Sequence, residues 1–250
     1  MVATTVGAAE GGRRRFYVWM GAAFIAIAFL GFIPSFWAKL AAGTFTGHAI
    51  LYVHGALFFS WTIFVFFQTT RVASGKLADH RTWGVVGVSL ATAMVFTVVL
   101  AQINAIKVAE RLGLADQALH FSIVALSGVV VFAALIVGAL LNVRRPEIHK
   151  RLMILSMVPP AHAAIARPFA AVFAPGAVVP PGVFVSIPPA IVADLLIVAA
   201  MIYDWRTRGR PHPVYLVCGA LMLAQQLLSL PVSNTPQWLA FARWVGTLAG

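Results

Sequence analysis

Long apolar stretches separated by short polar joints dominate the chain. Near 16–37, 48–70, 82–104, 119–142, 151–172, 183–203 and 214–232 apolar residues run for about 20 positions at a time, the length that carries an α-helix across a bilayer. No water is available inside lipid to satisfy backbone groups, so runs of this length predict helices rather than isolated strands. The expected fold is all-α: an integral membrane helical bundle of about seven transmembrane helices, a single membrane domain over 1–250. Residues 234–250 form an interfacial segment, with Trp238 and Trp244 near Arg243. Pro175, Pro180, Pro181, Pro188 and Pro189 crowd the joint before the sixth run, where missing backbone donors predict a kinked or re-entrant outer segment.

Composition agrees, since 61% of the residues are hydrophobic and only 10% charged. A net charge of +11 would suit a polyanionic partner, but its distribution argues for topology instead. Alternate joints hold Arg13, Arg14, Arg15, Arg71, Lys76, Arg81, Arg144, Arg145, Lys150, Arg151, Arg206, Arg208 and Arg210, whereas the opposite joints hold only Lys39, Lys107, Arg111 and Arg243. The positive-inside rule places the richer side, and with it the N-terminus, in the cytoplasm. The expected setting is multi-pass in a bacterial inner (plasma) membrane; the lipid bilayer is the partner and nucleic acid is not. Gly12-Arg13-Arg14-Arg15-Phe16 resembles a twin-arginine export signal, but about 22 apolar residues follow it, beyond the 7–15 of a signal peptide, so an uncleaved first helix is expected. The single cysteine, Cys218, excludes CxxC chemistry.

Histidines punctuate the runs. His48 opens the second, and the chain re-enters at His80-Arg81-Thr82-Trp83; His120 opens the fourth, and the chain re-enters at His149-Lys150-Arg151-Leu152. The expected architecture is a central four-helix core of two similar hairpins, which puts His48 and His120 in one outer layer and His80 and His149 in one inner layer. Imidazoles at headgroup depth are half-solvated at little cost, so each has an ordinary structural account. As a set they match the paired axial ligands of b-type haem in a bundle core. Seven residues beyond each lies Gly55, Gly87, Ser127 or Ser156, small enough for a planar macrocycle or for close helix packing. His54 is a rival outer ligand. His212, between Pro211 and Pro213, reads as a solvated loop residue.

Pairing the second run with the fourth and the third with the fifth resembles the layout of the transmembrane di-haem b-type cytochromes that ascorbate reduces. The resemblance covers about residues 48–155 and implies two b haems, an outer one on His48 and His120 and an inner one on His80 and His149. The seventh helix departs from that pattern. The helix starts His80-Arg81 and His149-Lys150-Arg151-Leu152-Met153 also resemble those of uncharacterised bacterial multi-pass membrane proteins.

Within the runs, Asp194 calls for a partner, and His162 or Arg167 could reach it from the neighbouring helix. Pro168 after Arg167 predicts freed carbonyls that the arginine could satisfy. The leading expectation is a transmembrane electron carrier, a membrane oxidoreductase passing electrons between a small or membrane-borne donor and an acceptor on the other face. One alternative is a proton- or ion-coupled transporter with a midplane His162, Arg167 and Asp194 site. Another is a single transition-metal site in a histidine-ligated membrane enzyme, drawing on His48, His54, His120 and His162. A homo-oligomer or a place in a larger membrane complex stays open.

Overall fold

The computed structural model describes residues 2–173 and 180–248, with side chains from Arg15 onward. Among them every regular element is helical. α1 (Val2–Gly31) runs into a π-helical turn at Ile33–Trp37 and the short α2 (Ala38–Ala41). Then come α3 (Ala49–Ala73), α4 (Leu77–Arg111), α5 (Ala115–Leu141), α6 (Pro146–Ser156) and α7 (Val158–Phe173). A 3-10 turn at Val183–Ser186 leads into α8 (Ile187–Arg208), followed by α9 (Pro213–Ser233) and α10 (Pro236–Thr247). Pro175 of the proline-rich joint lies outside the described residues; Pro188 and Pro189 sit in the first turn of α8, where a missing donor costs nothing.

Among the described residues six helices are long and apolar enough to cross a membrane: Arg15–Ala41, Ala49–Ala73, Leu77–Arg111, Ala115–Leu141, Val183–Arg208 and Pro213–Ser233. The chain is thus a multi-pass helical protein suited to a lipid bilayer. These six coincide with all of the expected runs except 151–172, which is divided between α6 and α7 at Met157. Pro159 and Pro160 explain the break. They lack the N–H groups that would bond to the Leu155 and Ser156 carbonyls, and the helix restarts through Ala161 N to Met157 O at 3.2 Å.

Consecutive packing of α3, α4, α5 and α6 builds one side of the molecule, with α1 against α3 and α7, and α9 against α5, α6 and α8. The buried apolar core is wider than the four helices expected to form it. Phe24 of α1, Trp61 of α3, Met94 of α4, Phe132 of α5, Leu155 of α6, Ile197 of α8 and Met222 of α9 all belong to one cluster. α10 lies across α4 and α5, with Ala242 and Val245 buried against Ile106 and Leu126 while Phe241 and Trp244 stay exposed. Its Trp238 Nε1 donates to the Leu119 carbonyl at 3.1 Å.

A close backbone approach joins α1 to α7. A Cβ on Gly31 would overlap the Ala164 carbonyl oxygen. Pro168, four residues on, has no N–H to offer that carbonyl, so Ala164 O lacks its usual i+4 helical donor. Immediately after Gly31 the α-helical pattern gives way, and Trp37 N bonds to Phe32 O at 3.1 Å as a π turn.

Candidate functional site

One end of the bundle gathers the basic joints and the two inner histidines. Gly75, with φ of 78°, closes α3 in a turn that only glycine adopts freely, and α4 starts two residues later with His80 in its first turn. Pro146 opens α6 and places His149 in the equivalent turn. The two imidazole rings meet with centroids 6.3 Å apart and planes at 79°. His149 Nδ1 lies 2.9 Å from the Ala139 carbonyl oxygen, so Nδ1 carries the proton and Nε2 keeps a lone pair. Gln68 Nε2 donates to the His80 carbonyl at 3.1 Å, while Gln68 Oε1 and His80 Nδ1 are buried without hydrogen-bond partners.

This geometry suits an edge-on ring contact. Two imidazoles on opposite sides of one metal ion, with bonds of about 2.1 Å, would also have ring centres about 6 Å apart. A backbone carbonyl holding the second nitrogen of His149 is the usual support of a ligating imidazole. Room for a macrocycle is uneven. Gly84, one turn beyond His80, borders open space, but a Cβ on Gly87 would lie 2.6 Å from the Phe64 ring. Ser156 is fully buried and donates to the Met153 carbonyl.

The outer histidines are not brought together. His48 caps α3, its Nδ1 accepting from Ile50 N at 3.4 Å. His120 is drawn to the end of α9, Nδ1 to Ser233 O at 2.8 Å, with Asp116 3.6 Å from Nε2. His54 packs against Phe58 with ring centroids 4.3 Å apart and planes tilted by 34°. Each ring is engaged by the nearest helix end or aromatic neighbour, and no ring contact joins any two of these three among the described residues. Gly55 borders open space, but Ser127 accepts a hydrogen bond from Gln225 at 2.6 Å. Among the described residues no group of three or more His, Cys, Asp or Glu side chains is arranged to hold a metal ion.

The midplane clasp also resolves differently. Asp194 Oδ1 accepts from Gln226 Nε2 at 3.2 Å, His162 Nε2 meets the Ser186 carbonyl at 2.9 Å, and Arg167 bonds to the Ala163 carbonyl with its guanidinium 3.9 Å over the Phe32 ring. Arg167 thus turns to the helix's own backbone and an aromatic face rather than to Asp194. Gln226 supplies the partner, a residue the sequence reading passed over because an amide carries no charge. His162 and Gln226 line a cleft between α5, α7, α8 and α9 whose empty volume, with its open mouth, is about 510 Å³.

A buried ion-pair network, also missed from the sequence, lies at the basic end. Arg151 Nη1 donates to Glu147 Oε2 at 2.8 Å, and its Nε and Nη2 both reach Asp204. Lys150 donates to Glu147 Oε1 at 2.7 Å, and Arg208 also bonds to Glu147. Burial alone would raise the Glu147 carboxyl, but hydrogen bonds from Lys150 and Arg151 and the charges of Lys150 and Arg208 outweigh it and bring it from 4.5 down to about 2. Burial lowers His212, which caps α9 through Nδ1 and Val214 N at 3.2 Å, and the nearby Arg151 charge lowers it further. Two carboxylates in joints otherwise rich in arginine were the available signal. Compared with known proteins, the chain matches no family model, no curated protein and no solved structure.

Proposed function

We propose that this chain is a membrane electron carrier holding one b-type haem at its basic end, with His80 and His149 as axial ligands. The facing of these two rings at 6.3 Å carries the reading. A haem bound there would supply one-electron transfer. The chain's own contribution is to fix the His149 tautomer through the Ala139 carbonyl and to leave space beside Gly84. Arg81, next to His80, and Arg71 supply positive charge suited to carboxylate side groups. The outer ligand set gains no comparable support, so the reading is of one haem rather than two.

The same proposal includes a seventh crossing made jointly by α6 and α7, with the N-terminus in the cytoplasm. α6 begins beside the end of α5, where His149 meets Ala139, and α7 reaches the start of α8, where His162 meets Ser186. At about 1.5 Å per residue the two pieces have the length to cross.

The visible spectrum of protein purified after haem-supplemented expression tests the reading. A Soret band is expected in the parent chain and in His48→Ala and His120→Ala, and its loss in His80→Ala and His149→Ala. No Soret band in the parent, or full haem content in His149→Ala, would overturn it.

A further inference from the structure

We propose that the free edge of the Arg167 guanidinium binds the phosphate group of a phospholipid in the leaflet opposite the basic end. The inference is independent of the haem.

Seven acidic side chains are available in the chain to neutralise a base, and none of them serves Arg167. Asp79 pairs with Arg71, Asp116 with His120, and Glu147 and Asp204 with Arg151, while Asp194 accepts from Gln226. Glu10 stands about six turns before Phe32 on α1. Among the described residues no carboxylate, Glu110 included, lies within ion-pair distance of Arg167. A guanidinium close to hydrocarbon is costly while its donors lack partners, so the missing anion has to come from outside the chain.

The pose of the side chain shows which donors wait for it. Nη1 bonds to the Ala163 carbonyl, and the guanidinium carbon lies 3.9 Å from the centre of the Phe32 ring. Nε and Nη2 have no partner among the described residues and are not enclosed. These two N–H groups form the side-on fork that receives two oxygens of one anion. Arg151 uses the same edge, with Nε and Nη2 reaching the two oxygens of Asp204 at 2.8 and 2.6 Å. What Arg151 finds inside the protein, Arg167 offers outward.

Depth and surroundings select a lipid as the source. At 1.5 Å per residue Phe32 lies about 26 Å along its helix from Arg15, against a hydrocarbon core about 30 Å thick. Arg167 thus stands within about one helical turn of the boundary away from the basic joints, where a long basic side chain reaches headgroup level. Leu30 and Ile33, flanking Phe32, and Val172 and Phe173, one to two turns beyond Arg167, are all exposed. Outward apolar side chains beside the fork suit acyl chains, which a dissolved phosphate ion does not have.

The test uses the full chain in alkyl maltoside micelles, which contain no phosphate, with Cys218→Ala and a fluorophore on Phe173→Cys. The probe is phosphatidylglycerol carrying a nitroxide high on one acyl chain, and the control is diacylglycerol with the same chains. Saturable quenching by the phospholipid is expected, about tenfold tighter than by diacylglycerol, as a charge-assisted pair of hydrogen bonds requires. Arg167→Gln should remove that preference, Arg167→Lys, which keeps the charge without the fork, should retain only part of it, and the exposed Arg243→Gln should leave it intact. Inorganic phosphate, against chloride at equal ionic strength, should not displace the lipid. Equal quenching by the two lipids, an equal loss in Arg243→Gln, or displacement by inorganic phosphate overturns the assignment. So does an undiminished preference in Arg167→Gln or, should that variant not fold, in Arg167→Lys. Each readout is independent of the Soret band.

Discussion

Arg151 and Asp204, 53 positions apart, form a bidentate ion pair with Nε to Oδ2 at 2.8 Å and Nη2 to Oδ1 at 2.6 Å. Both side chains are closed to solvent, and the pair ties the middle of α6 to the end of α8. Removing one member of such a pair strands a buried charge, whereas removing both restores a neutral interior. Asp204→Ala is expected to cost about 3–5 kcal/mol, and the double variant Arg151→Met, Asp204→Leu less than that. Thermal unfolding in detergent reads the difference, and a double variant less stable than Asp204→Ala would refute the account.

Glu147 links this pair to acid sensitivity. Its folded-state carboxyl sits at about 2, below its ordinary 4.5, so the stability it contributes is complete above pH 4.5 and is lost as pH falls through about 2. The melting temperature of the parent chain should therefore drop more between pH 5 and pH 3 than that of Glu147→Gln. Identical acid profiles for the two proteins would contradict it.

Gly31 is fixed by the backbone it touches. A methyl group there meets the Ala164 carbonyl, a rigid neighbour that cannot swing away, so Gly31→Ala must separate α1 from α7. The expected cost is about 1–3 kcal/mol. Gly43, where a Cβ would meet nothing but has φ of 66°, serves as a surface comparison in which strain acts without crowding. A Gly31→Ala protein as stable as the parent would exclude the close approach.

Orientation can be checked by chemistry at two lysines. With Cys218 replaced by alanine, Lys39→Cys is expected to react with a membrane-impermeant maleimide in intact cells, and Lys76→Cys only after lysis. The reverse pattern would invert the proposed topology.

Much of the fold was legible because the signal was length. Six apolar runs became six helices long enough to span, since lipid leaves an apolar segment of this size no other way to pair its backbone. Met157 was not legible as a break: the hydrophobic count over 151–172 passes across Pro159 and Pro160 without registering their missing donors. At the site, His80 and His149 were read to one layer and do meet, because both lie in the first turn of helices that start at the same end. His120 was read to pair with His48, yet spacing along a chain says nothing about which way a ring turns, and the Ser233 carbonyl claims it. The Arg151 and Asp204 pair escaped because their charges were counted toward topology, a sum that ignores who is beside whom.

Glu147 has a further part in that pair's setting, because it holds Arg151, Lys150 and Arg208 together. Lys150→Ala should leave the Arg151 contacts in place and cost less than 1 kcal/mol, as partly exposed pairs do. A loss as large as that of Asp204→Ala would show that the five charges of Glu147, Lys150, Arg151, Asp204 and Arg208 act as one unit.

The prolines at 159 and 160 have a geometric consequence. In an unbroken helix each residue is turned about 100° from the last, so the bearing of His162 would be dictated by that of His149. The interruption at Met157 releases that constraint, and the azimuths of α6 and α7 can be chosen separately. One stretch of chain can therefore aim an imidazole at α4 and another at the opening of α8, two directions that a straight rod would have to trade against each other.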